Sequence, residues 1–242
     1  LSPCLRARYG SVPVSANAVG PETITVVVQT RTSRIRVGVS ARTRLVRDGE
    51  RVPAERRLVR NRGVVAQELT VEVQEGTPIT VEKVAAVVTS RTPAIYEPGL
   101  NATQSVARAG GFDELLGRHV LAWDQLWQRF DIRIEDSERS QMILRLHVFH
   151  LLQTVSPNSI DLDVGVPARG LHGEAYRGHI FWDELFIFPL LNFQFPALTR
   201  TLLNYRFRRL GEARWAAREA GFDGAMFTWQ YGSGGREERR ST

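Results

Sequence analysis

The apolar residues of this chain change their spacing once, near Pro98-Gly99, and that change limits the fold more than any other feature. Before it, β-branched residues alternate with polar ones: Thr23 to Val28, Ile35 to Val39, Leu69 to Val73 and Ile79 to Val88. A period of two places alternate side chains on one face of a strand. Asp48-Gly49, Asn61-Arg62-Gly63 and Glu75-Gly76-Thr77-Pro78 supply the turns between these runs. Short strands joined this way predict antiparallel sheets, part of a β-sandwich.

Beyond Pro98-Gly99 the spacing becomes helical. Leu115, Leu116, Val120, Leu121, Trp123, Leu126 and Trp127 form a wide apolar face over residues 112–130. Asp136 or Ser137 suits a cap for the next helix, Glu138 to Val155, which Pro157 ends. Its apolar residues (Met142, Ile143, Leu146, Val148, Phe149, Leu151, Leu152) exceed one stripe, so burial on most sides is expected. Pro196 fits a first helical position, and Gly221 fits the left-handed cap of a helix over Glu212 to Ala220. The chain therefore divides into a sheet domain at 1–98, a helical linker at 99–134 and successive helices over 135–242.

Charge excludes less than it first suggests. A net charge of +6 in 242 residues ordinarily favours a nucleic-acid partner. Here Lys83 is the only lysine, and the arginines are scattered from Arg6 to Arg240, so solvated faces explain them better than a designed patch. Cys4 stands alone, which rules out an internal disulfide and a cysteine-based metal site. No stretch resembles a secretory signal or is long enough to cross a bilayer, so a cytoplasmic chain with no membrane partner is expected.

The densest chemistry lies in Arg169 to Pro189, where Arg169, His172, Glu174, Arg177, His179, Trp182, Asp183 and Glu184 stand among glycines and aromatics. Buried polar groups need partners, and sugars offer both hydroxyls and a weakly apolar face for a ring. Trp182 also fits a core aromatic, and Asp183 the N-cap of a helix opening at Glu184-Leu185-Phe186. Arg169 fits either a hydroxyl partner or an ion pair with Asp183. No third ligand accompanies His172 and His179, so no metal is expected, and His147 and His150 read as core histidines.

Arg169-Gly170-Leu171, Gly173-Glu174, Tyr176-Arg177-Gly178-His179 and Phe181-Trp182-Asp183 together resemble the signature of glycoside hydrolase family 65. A second block agrees, in the expected order: Tyr205-Arg206, Arg209-Leu210, Ala213-Arg214, Gly224-Ala225-Met226-Phe227, Trp229-Gln230 and Gly235-Arg236-Glu237-Glu238. The likeness covers the C-terminal part well and the sheet domain loosely, at Glu82-Lys83 and Thr89-Ser90. It implies a β-sandwich, a helical linker and the first part of an (α/α)6 barrel.

The family comprises phosphorylases of maltose, trehalose and kojibiose, with some trehalose hydrolases. The resemblance therefore implies inverting cleavage of an α-linked glucose disaccharide, by phosphorolysis with inorganic phosphate as co-substrate or, as the alternative, by hydrolysis, with no cofactor and a possible homodimer of the full-length protein. Such cleavage passes through an oxocarbenium-like state and needs an acid on the leaving oxygen. The family's general acid falls beyond Thr242, so the chain reads as a fragment with no catalytic acid of its own. Trp182 and Asp183 match the pair that holds the glucose; Arg169, His179, Trp229 and Glu237 are further pocket candidates. Thr228, Tyr231 and Gly234 depart from the pattern, standing where proline, a small residue and aspartate are usual. Those departures leave room for a non-catalytic carbohydrate-binding remnant. A barrel begun but not closed would also expose apolar helix faces and dissolve poorly alone.

Overall fold

The computed structural model describes residues 4–6, 11–31, 33–92, 94–160, 162–170, 173 and 176–231. The chain forms two compact units, Leu1–Ala122 and Trp123–Thr242.

The first unit is built on two antiparallel sheets. One has the order β2 (Ser11–Val19), β3 (Thr23–Thr30), β4 (Arg36–Arg47), β5 (Glu50–Arg51), with β8 (Thr80–Thr89) also paired to β4. The other runs β1 (Cys4–Arg6), β7 (Val64–Thr70), β6 (Glu55–Asn61). Asp48 and Gly49 both take left-handed backbone angles, φ 50° and 82°, and close β4 onto β5 as a two-residue turn of the primed type. Val71 to Val73 lie outside β7, which begins earlier, at Val64, than the apolar run suggested.

Alternation along β3 assigns its two faces. Ile24 and Val26 point to a buried cluster with Ala41 and Val65, where the two sheets meet. Thr25 and Val27 point the other way, to helix α1 (Pro98–Arg108). There the Thr25 hydroxyl bonds both Ser40 and Thr103, each at 2.9 Å, so the buried hydroxyls satisfy one another. Gly38 makes the approach possible: a β-carbon there would stand 2.4 Å from the Pro98 carbonyl carbon. At the far end of α1, the buried Arg42 donates to the Val106 carbonyl at 2.9 Å and also to Gly110. Its positive charge thus meets carbonyls at the negative end of a helix. Glu82 does the converse, accepting at 2.7 Å from the backbone N–H of Phe112, where α2 (Phe112–Phe130) begins.

The second unit is helical: α3 (Glu138–Thr154), α4 (Glu184–Gln194), α5 (Pro196–Phe207) and α6 (Leu210–Glu219). Ser137 caps α3 by accepting from Ser140 N, and Pro196 opens α5, as their positions in sequence suggest. Phe130, Leu152, Phe188, Leu191, Leu198 and Leu202 form the main core. Helix α3 gives this core one stripe only. Met142 is 64% exposed, and Ile143 and Leu146 also face solvent, contrary to the burial expected from its composition. His147 is likewise exposed and is no core histidine, while His150 is half-buried beside the Gln153 side chain at 3.3 Å. No helix among the described residues is long and apolar enough to cross a membrane.

Candidate functional site

The site grows from a short strand threaded between two segments. Strand β9 (Ile180–Phe181) pairs antiparallel with β10 (Gln230–Tyr231). On its other side Ile180 bridges to Pro167, and the Ala168 N–H donates to the His179 carbonyl at 3.2 Å. Ile180, Tyr205 and Tyr231 close a small core beneath this strand pair. Both sequence blocks singled out above therefore meet, one on each strand.

The chain leaves β9 through Trp182 and Asp183 and enters α4 at Glu184. Trp182 is 40% exposed, and its ring lies 5.4 Å from that of Trp229 and 5.2 Å, edge-on, from Phe186. Trp182 is thus a rim residue and not a core aromatic. Asp183 is exposed and occupies the position before the helix, but its backbone is already helical and its carboxylate makes no capping bond. The helix leaves that carboxylate uncommitted.

Glu184, the next residue, has the opposite environment. It is 1% exposed; one carboxylate oxygen accepts from Arg206 Nε at 2.7 Å and the other from the Val166 N–H at 3.2 Å. Arg206 in turn lies 4.4 Å from the Tyr231 ring centre and 5.8 Å from that of Phe227. Beside this pair opens a cavity of about 410 Å³, walled by Trp182, Leu185, Phe188, Leu203, Phe227 and Trp229 and lined also by Glu184, Arg206 and Thr228. A concave, mostly aromatic pocket of this size with a few polar groups is the usual form of a small-molecule site.

The other sequence candidates divide. His179 is half-buried and bonds the Gln230 side chain, so it joins the two blocks. Arg169 is exposed, its guanidinium 5.8 Å from the Tyr176 ring centre; among the described residues it makes no ion pair with Asp183. Tyr176 itself takes a left-handed φ of 57°, unusual for a bulky residue, and packs edge-on to Phe181 at 4.9 Å. Glu237, His172, Glu174 and the loop from Gly232 to Gly235 lie outside the described residues. Among the described residues no group of three or more His, Cys, Asp or Glu could hold a metal ion.

Two departures from the family pattern prove to be partners. The Thr228 N–H donates to the Tyr231 hydroxyl at 2.9 Å, and Tyr231 is buried under Arg206 and edge-on to Tyr205 at 5.9 Å. A proline at 228 has no N–H to give. Sequence reasoning does not pair Glu184 with Arg206, although Glu184 directly follows the first matched block and Arg206 stands inside the second. They are separated by 21 intervening residues, and nothing in that spacing announces contact.

Comparison with known proteins agrees with these blocks. Residues 6–126 match Glycosyl hydrolase family 65, N-terminal domain, and residues 145–242 match the Glycosyl hydrolase family 65 central catalytic domain. The chain belongs to glycosyl hydrolase family 65. An uncharacterized glycosyl hydrolase of Mycobacterium tuberculosis is 45% identical over 216 residues, covering 89% of this chain and 16% of that protein. Kojibiose phosphorylase of Halothermothrix orenii is 32% identical over 222 residues, 88% of this chain and 28% of the relative. Among solved structures, a putative kojibiose phosphorylase from human microbiome superposes with a TM-score of 0.77 at 20% identity, over 95% of this chain and 31% of that one. That likeness fixes the fold: an antiparallel β-rich domain followed by helices. The chain spans less than a third of the length of each of these proteins. Family 65 relatives of this chain include both phosphorylases and a hydrolase.

Proposed function

We propose that this chain contributes the glucose-holding wall of a family 65 enzyme that cleaves an α-glucosyl disaccharide by inverting phosphorolysis. The observation that carries the reading is the exposed Trp182–Trp229 ring pair over the cavity; Asp183, whose carboxylate caps no helix, follows Trp182 directly in the chain. A hexose presents an apolar C–H face to an indole and hydroxyls to a carboxylate that no helix end has claimed. In this reading α3 to α6 are among the first helices of an (α/α)6 barrel.

The chemistry follows from the substrates. Phosphate attacks the anomeric carbon from the face opposite the leaving sugar, the glycosidic C–O bond breaks, and an acid gives its proton to the leaving oxygen. The product is β-glucose 1-phosphate and a free acceptor sugar. Phosphate is itself the nucleophile, so no second carboxylate has to activate water. Asp183 binds hydroxyls, and Glu184 is neutralised by Arg206 in a buried pair; neither is assigned the acid. Trp182 and Trp229 shape the wall, and His179 ties the strand before Trp182 to the strand after Trp229 through Gln230.

The test is turnover by the full-length gene product with kojibiose, trehalose and maltose, each with and without phosphate. Phosphate-dependent release of β-glucose 1-phosphate from one of them is expected. Free glucose released equally without phosphate identifies a hydrolase instead, and no turnover of any sugar under either condition removes the enzymatic reading. Hydrolysis is the second reading because a kojibiose hydrolase stands among the relatives.

A further inference from the structure

We propose that Glu184 and Arg206 are positioning residues: their buried pair sets the distance and tilt of the Trp182–Trp229 rings at the mouth of the cavity. Five parts of the chain converge on these two side chains. Glu184 is two residues from Trp182 and opens α4, and its second oxygen fixes the loop at Val166. The backbone at Gly165 lies so close that a β-carbon there would stand 2.8 Å from the same oxygen. Arg206 comes from α5, bonds Glu184 and lies 3.5 Å from the Phe181 carbonyl, the last residue of β9. Its flat face covers Tyr231, two residues after Trp229, and it also lies near Phe227, two residues before it. Each indole is therefore two residues from a group held by the same ion pair: Trp182 from Glu184 itself, Trp229 from the Tyr231 and Phe227 rings beside Arg206.

Charge alone does not explain this arrangement. A buried pair is a weak source of net stability, because desolvating both groups offsets most of their attraction. A guanidinium plane, however, fixes direction: Nε faces one carboxylate oxygen while the face stacks on a ring. Lysine offers neither the fork nor the plane, so Arg206→Lys separates geometry from charge. The role in sugar holding rests on the function proposed above; the setting of the rings does not.

The experiment compares the full chain with Glu184→Gln, Arg206→Lys, the apolar double replacement E184M/R206L, and Trp229→Phe as reference. Two indoles 5.4 Å apart share their excitations, and the wild-type minus Trp229→Phe circular dichroism difference isolates that shared band from the separate Trp123–Trp127 pair. Helix content is followed independently by amide infrared absorption. The expected result is unchanged helix content with loss of the band in Arg206→Lys and the double variant, to the level of Trp229→Phe. Glucose, titrated by tryptophan emission, is expected to bind those variants at least about tenfold more weakly, since a charge-assisted contact is misplaced. A folded double variant that keeps the band overturns the proposal. Loss of helix content in all three variants also overturns it, by making the pair a requirement of folding and not of ring placement. If wild type binds no glucose while the band behaves as expected, the sugar reading fails and the positioning role stands.

Discussion

At the level of single residues, Asp183 separates a pocket role from a structural one. Losing an N-cap side chain ordinarily costs about 0.5–2 kcal/mol. The Asp183 carboxylate caps nothing, so Asp183→Ala is expected to leave the unfolding free energy within about 0.5 kcal/mol of wild type, with little change in the thermal midpoint. The same substitution should abolish the response of tryptophan emission to glucose. A clear drop in midpoint with sugar binding intact would return Asp183 to the helix. Thr228 makes the opposite case. Thr228→Pro removes the donor to the Tyr231 hydroxyl and is expected to destabilise by about 1 kcal/mol or somewhat more, read by urea denaturation. Tyr231→Phe in that background should lose little further, because the hydroxyl has already lost its partner. Reading the sequence singled out Trp182 and Asp183 because they stand together in one block. It missed the Glu184–Arg206 pair because the fold, not the spacing, brings α4 and α5 into contact.

Among the elements, the α1 contact with β4 is the least forgiving. Gly38→Ala drives a methyl into the Pro98 carbonyl, which is backbone and cannot swing aside. A loss of at least about 1–3 kcal/mol from the first unit is expected in chemical denaturation. A second expectation concerns the join of α5 and α6. Arg209 and then Arg208 hold the Asp163 carboxyl below the usual carboxylate range, against the upward pull of burial. A depressed folded value means that the stabilisation is present above about pH 3.9, the unfolded range, and fades as pH falls through the lower folded value. The Asp163 side chain is 37% exposed, so the effect is small and screened by solvent. Asp163→Asn should flatten the acid limb of a stability-against-pH curve: slightly less stable than wild type at neutral pH, it converges with wild type in acid. Element types were readable where spacing was strong: α2 has the bounds its apolar face suggests, and α3 differs by a residue at its end. Strand β6 was not, because Glu55, Arg56, Arg57 and Arg60 hide its alternation. Helix α1 was missed as a separate helix because Pro98-Gly99 reads as a break. In fact Pro98 is the first helical residue and Gly99 lies against Val27.

Across the whole molecule, the apolar surface dominates behaviour. Ile143 and Leu146 on α3, Phe193 on α4, Phe207 on α5 and Trp215 on α6 are all exposed, and Phe193 is 88% so. Isolated exposed apolar residues are ordinary, but several large ones on successive helices make an association surface. The isolated chain is expected to self-associate with concentration in sedimentation and to bind a hydrophobic dye. A monodisperse monomer with a sharp reversible melt would contradict this. The net charge of +6 does not protect against it, since the charges and the apolar faces occupy different helical positions. Arginine supplies nearly all of the cationic side chains, and the single ammonium side chain, Lys83, is exposed on β8. Amine-directed reagents thus meet one side-chain target, so a dye, biotin or surface linker can be attached through the sheet unit without chemically altering the indole rim.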